Sequence, residues 1–453
     1  MLQSVKRSVI YSNTHPRASR SFTSSLICQA KAAKPTAPAK SKGGGFKVKK
    51  DEYSGNKKIA ATKVGPLPAN VLAVHHLLQA PQRDLGLPQL TPDVLTSRAV
   101  GTAVSLSSGP GSIAGTFGLP TSLESEFLLL SNPTSVIRDV TLSLIEAMDG
   151  GSKSGTSNKD ARIALTGAAG SGKSHLLLQA ANYAAASEWI VLYAPRVISW
   201  INSTTPYTYD PRTKTFQQPE LAAQILGQFI TANSEILLAP STQITKDIKN
   251  ERLGSFSKGD PLSALLSVGQ KHQSLATEVL AVTLEILGEQ TKHPVLIAVD
   301  DFQALFCMSR YRDPQYQLIS SHHLSLPRMI LDYAAGKRTL ARGAIVGALS
   351  STDPRFIAPL PLKEALGILE PGTASPYERR SKSIAFYASG VKGLPVPSKM
   401  QLSEAASMFD IWVKNNALHT PAKDSLFLSK YVEASGNPRE LVKTGLLTTL
   451  GTS

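Results

Sequence analysis

Acids are missing from the first fifty positions, cysteine is scarce throughout, and long apolar runs do not occur. Each absence removes a class of protein. With only Cys28 and Cys307, in unlike surroundings, neither a disulfide framework nor a cysteine-based zinc site is expected. His75-His76 and His322-His323 are adjacent pairs, so neither pair shares one face of a helix or strand and neither suggests a metal site. No stretch reaches the roughly eighteen apolar residues of a membrane-spanning helix. What is left, at 453 residues with 42% apolar and 6% aromatic content, is a chain of two or three folded units.

The net charge of +15 sits unevenly. Residues 1–50 hold eleven Lys/Arg and no Asp or Glu, leaving about +4 for the other 403. Leu2, Val5 and Val9 recur on one helical face with Lys6 and Arg7 off it, the profile of a mitochondrial transit peptide. Arg20-Ser21-Phe22 marks the processing region, so residues 1–22 are expected to be removed. The Lys/Ala/Pro/Gly segment that follows, within 23–63, cannot build a core and reads as a flexible basic arm suited to nucleic-acid phosphates. Over 64–130, beyond a possible short helix at 71–80, recurrent Pro and Gly predict an irregular extension.

The chemistry concentrates further on. Arg162-Ile163-Ala164-Leu165-Thr166 has the composition of a buried strand, and Gly167-Ala168-Ala169-Gly170-Ser171-Gly172-Lys173-Ser174 follows it without a gap. His175 then opens an apolar helix. Strand, GxxxxGK[ST] loop and helix in that order form a P-loop. Backbone N–H groups of the loop and first helical turn must point at a phosphate, which bulky side chains would obstruct. Residues 167–175 are therefore the expected nucleotide-binding set. Lys173 supplies a point charge to the outer phosphates, and the Ser174 hydroxyl is a Mg²⁺ ligand.

Pro294-Val295-Leu296-Ile297-Ala298-Val299-Asp300-Asp301 is the second motif, an apolar strand that delivers two acids to its carboxyl end. Asp300 is expected to hold Mg²⁺, and Asp301 is the candidate base for an attacking water. A further strand at 343–352 ends in Ser350, whose hydroxyl suits a terminal phosphate, and Gly436-Asn437-Pro438-Arg439 starts a last helix with Arg439 placed to reach one. Between the second strand at 189–194 and the acid-bearing strand lies a long insertion, with helices expected over 220–238 and 261–288. A helix is also expected over 134–148, stopped by Asp149-Gly150-Gly151, and two more over 403–414 and 424–434. The fold class is thus α/β: a P-loop NTPase parallel sheet flanked by helices over 131–360, then a small helical lid-like domain over 361–453.

These motifs together resemble the AAA+-like P-loop group. With the basic leader, Gly118-Leu119-Pro120, the Trp200, Tyr207 and Asp210 segment and Phe216-Gln217-Gln218-Pro219, the chain resembles more narrowly the death-associated protein 3 family. The resemblance covers roughly 115–450. It implies a GTP- or GDP-binding structural subunit of the mitochondrial ribosomal small subunit, surrounded by ribosomal proteins and rRNA and near the large subunit. It also implies phosphate contacts from Gly170, Gly172, Lys173 and Ser174, and Mg²⁺ at Asp300. Efficient ATPases of that group follow the metal Asp with Glu, whereas Asp301 is one methylene shorter, which argues for slow turnover. No N/T-K-x-D element selects guanine, so GTP over ATP rests on the resemblance alone. An active matrix ATPase or GTPase that remodels other proteins is the competing reading, and its arginine finger would come from Arg310, Arg312 or Arg328.

Overall fold

The computed structural model describes residues 85–447 except 128–129, 131–132, 154–159, 240–241, 370–374, 376 and 419–420. The expected transit peptide, basic arm and 71–80 helix fall outside the described residues.

Five parallel strands form the central sheet. In chain order they are β1 (Arg162–Thr166), β2 (Ile190–Ala194), β3 (Val295–Asp300), β4 (Gly343–Ala348) and β5 (Lys392–Pro395). Their order across the sheet is β5-β1-β4-β3-β2. The first four are buried at every position, because helices cover both faces and such strands carry apolar residues continuously rather than in alternation. β4 therefore separates the loop-bearing β1 from the acid-bearing β3. Ala348 pairs with both Leu165 and Asp300, so the 167–174 loop, the Asp300 carboxylate and the segment after β4 leave the sheet at one edge. That edge is where parallel sheets bind ligands.

β5 comes from a Pro-rich stretch in which the sequence gives no strand signal. It is a four-residue edge strand with its side chains largely exposed, and Pro395 at its end is tolerated because an edge needs fewer donors. The expected helix over 134–148 also differs. Thr134–Val136 is a buried strand paired antiparallel with Ala103–Ser105. Helix α2 (Asp139–Ser152) starts only after Arg138 turns the chain. Gly150 and Gly151 lie inside this helix, and Gly151 is buried, so packing overrides their poor propensity.

Ahead of these, α1 (Thr121–Phe127) buries Leu123 and Phe127. After β1, α3 (Lys173–Ala186) runs back along the sheet. The insertion before β3 holds α4 (Pro219–Ala232), α5 (Leu262–Lys271) and α6 (Ala276–Glu289). The single helix expected over 261–288 is broken where His272 takes extended dihedrals. The one expected over 220–238 ends early at Asn233, which is buried. Its side chain accepts from Val191 N at 2.7 Å and donates to Val191 O at 2.9 Å, satisfying the free edge of β2. Last come α7 (Leu402–Lys414) and α8 (Asp424–Glu433), close to their expected limits.

Candidate nucleotide site

Two glycines of the 167–174 loop, Gly167 and Gly170, exclude any side chain because other segments of the protein approach them closely. Gly170 has φ +78°, and a Cβ there would stand 2.5 Å from Asn437 Oδ1 and 2.8 Å from Arg439 Cβ. Gly167, at φ +133°, would place a Cβ 2.6 Å from Val396 O. Only glycine meets both the left-handed backbone and the close approach. Lys173 opens α3 and folds back over the loop. Its Nζ donates to Gly167 O at 2.9 Å and Ala168 O at 2.6 Å. Burial, and then the neighbouring Arg439 charge, push its amine down to about 8, with Asp300 pulling the other way.

Distant segments hold the loop from outside. Asn437 Nδ2 donates to Ala169 O at 3.0 Å, and Arg439 N donates to Gly170 O at 3.2 Å. Arg138 does more. Its Nη1 donates to Ser171 O at 2.8 Å, its Nη2 to Pro397 O and Lys399 O at 3.2 Å each, and its Nε pairs with buried Glu404 at 3.3 Å. One guanidinium thus ties the loop, the segment after β5 and α7 together. Nothing in the sequence marks Arg138, which stands where helix was expected; its role exists only once those three segments meet.

A cavity of about 430 Å³ opens beside the loop. Gly170, Ser171, Gly172, Lys173, Ser174 and His175 line it, and so do Ser350 and Arg439. Gly167, Ala168 and Ala169 do not; their carbonyls hold Lys173 and Asn437 instead. The far wall is apolar and comes from Val136, Met408, Ile411, Trp412 and Val442. Buried Gln179 of α3 fixes the 134–136 strand to this wall, donating to Val136 O at 2.9 Å and accepting from Thr141 Oγ1 at 2.9 Å. His175 packs its ring edge-to-face on Phe127 at 5.8 Å, and burial pushes its imidazole down to about 4.

An adjoining cavity is lined by Ser174, Asp300, Asp301, Ser350 and Arg196. Burial, with Asp301 beside it, raises the Asp300 carboxyl to about 7, against a hydrogen bond from the Ser174 hydroxyl. Asp301 sits in the left-handed region at φ 56°. Burial raises its carboxyl too, while a hydrogen bond with Ser350 and the charge of Arg196 lower it. The Ser350 amide donates to Gln303 Oε1 at 3.0 Å. Arg310, Arg312 and Arg328 line neither cavity; Arg196 and Arg355 line the one that holds the acids, and Arg196, two residues past β2 and without a motif of its own, acts on Asp301.

With this geometry in place, comparison with known proteins is decisive. The family model described as mitochondrial ribosomal death-associated protein 3 matches residues 135–444. The chain belongs to that family. It is similar to small ribosomal subunit protein mS29 of Schizosaccharomyces pombe, 28% identical over 330 residues that cover 72% of this chain and 66% of the relative. The protein of that name from Neurospora crassa is 24% identical over 71% of this chain and 69% of its own length. The one from Mus musculus is 30% identical over 46% of this chain and 56% of its own. The matched stretch thus spans about two thirds of the fungal relatives' lengths. The family region takes in the loop, both acids, Ser350 and Arg439, and leaves out Glu126 and the rest of α1.

Proposed function

We propose that this protein is a structural component of the small subunit of the mitochondrial ribosome that supports translation by holding a purine nucleotide, GTP or GDP with Mg²⁺, inside a P-loop NTPase-like fold. The family membership and the relatives' names support the ribosomal part. The observation that carries the nucleotide part is the glycine-rich loop opening onto the cavity between β1 and α3, with Lys173 folded onto it and the Ser174 and Asp300 oxygens together. The sheet order, with a strand between the loop strand and the acid strand, supports the same reading.

The residues present fit the ligand. Small-residue backbone suits phosphate oxygens, the Lys173 amine already caps two carbonyls, and the depressed pKa of that amine is relieved by an anion. Ser174 and Asp300 touch each other and form a hard-oxygen donor pair for Mg²⁺. A bound Mg²⁺ would neutralise phosphate charge there. Asp300, held near neutrality by burial, ionises fully when a cation faces it. Because Arg138, Asn437 and Arg439 grip the loop from remote segments, filling it braces the whole fold. A ligand bound only by the native state stabilises by about 2.7 kcal/mol at a hundredfold excess over its Kd.

Hydrolysis is not the main task in this reading. The short Asp301 carboxylate is engaged with Ser350, and isolated turnover is expected at or below about 10⁻² s⁻¹. The test pairs Lys173→Ala with nucleotide titration, thermal melting and sedimentation with the small ribosomal subunit. The variant should lose nucleotide binding, melt earlier and leave the subunit fraction. Normal assembly with no bound nucleotide would overturn the structural role.

A further inference from the structure

The loop accounts for phosphates and leaves the rest of the lining of the 430 Å³ cavity unassigned. One acid stands there. Glu126, near the end of α1, lines the cavity with Leu130, Val136 and Trp412. No hydrogen bond or ion pair engages its carboxyl among the described residues, and the side chain is half-buried. An ionised carboxylate repels phosphate oxygens, so it suits a donor group of a bound nucleotide rather than its phosphates. Burial alone lifts its carboxyl to about 7, as expected of an enclosed acid without donors. A second polar atom on the same cavity, His175 Nε2, is buried without a partner among the described residues.

We propose that Glu126 reads the purine base and selects guanine over adenine. The inference rests on the nucleotide reading above and adds the specificity it lacks. Guanine presents two adjacent donors, N1–H and the 2-amino group, and an ionised carboxylate is an acceptor-only group with room for both. Adenine offers one amino donor beside the bare N1 lone pair, so a carboxylate facing it sets acceptor against acceptor. Met408 and Ile411, which line the same cavity, offer no donor to relieve that mismatch. The absent N/T-K-x-D element is then replaced by a single acid that α1 folds over the cavity.

The experiment titrates GDP, IDP, ADP and inorganic pyrophosphate, each with Mg²⁺, into full-length protein and the variants Glu126→Gln and Glu126→Ala. Wild type should prefer GDP to IDP, which lacks the 2-amino group, by about tenfold, and to ADP by more. Glu126→Gln should weaken GDP at least about tenfold and hold or tighten ADP, because an amide pairs with both N1 and the amino group of adenine. Glu126→Ala should lose the preference with pyrophosphate affinity unchanged, which separates base reading from a damaged fold. Should wild type bind GDP while the variants shift GDP and ADP alike, Glu126 does not read the base and this inference falls with the nucleotide reading intact. Should wild type bind neither nucleotide, the nucleotide reading fails and takes this inference with it.

Discussion

The two ends of the main cavity are built by opposite rules. At the loop end, eight consecutive residues, 167–174, bring Gly170, the Lys173 amine and the Ser174 hydroxyl to the cavity. At the other end, an apolar wall is assembled from the 134–136 strand, α7 and the final helical segment, with Glu126 brought in by α1. Residue type at the contiguous end is fixed by the close approach of Val396, Asn437 and Arg439, whereas the assembled end depends on packing between segments hundreds of residues apart. Arg138 is the group that joins them, with one nitrogen on the loop and another on Glu404 of α7.

The largest effect should come from the assembled end. Trp412 is fully buried against Phe409 and Gly445, and Trp412→Ala should cost about 3–5 kcal/mol in chemical denaturation. A loss below about 1 kcal/mol would mean that this wall is not part of the core. Next is the joint. Arg138→Ala leaves buried Glu404 without its cation and Ser171 O without its donor, and should cost about 3 kcal/mol while weakening nucleotide and pyrophosphate together. If only one ligand weakened, the two ends would be independent.

At the loop end the expected effects are smaller and depend on pH. The folded state raises Asp300 from 3.8 to about 7, so its contribution to stability is fully present below about pH 4 and is lost as pH rises through 7. Asp300→Asn lacks that loss and should melt a few degrees higher than wild type at pH 8 without ligand, with no gain at pH 4. Equal melting shifts at both pH values would contradict the buried-acid account. The smallest effect is proton exchange on binding Mg-nucleotide, read by calorimetry in buffers of different ionisation enthalpy. Asp300 should release a fraction of a proton below pH 7, and Lys173, depressed to about 8, should take one up above pH 8. Release that persists at pH 6 in Asp300→Asn would assign it to the nucleotide instead.

Sequence alone determined the α/β class, four of the five sheet strands, the glycine-rich 167–174 loop that follows β1 and the two acids at the end of β3. Those features are written in short contiguous stretches, because a buried parallel strand needs an apolar run and a phosphate cradle needs glycine at fixed spacing. The family, too, was legible from the same motifs, and the match over 135–444 bears it out. Tertiary structure decided the rest. β5 is a strand only because the exposed edge of β1 offers it partners, and 134–136 is a strand only because Ala103–Ser105 lies beside it. Arg138, Glu126, Arg196 and Trp412 carry no motif, since what each does depends on groups brought near by folding rather than on neighbours in the chain.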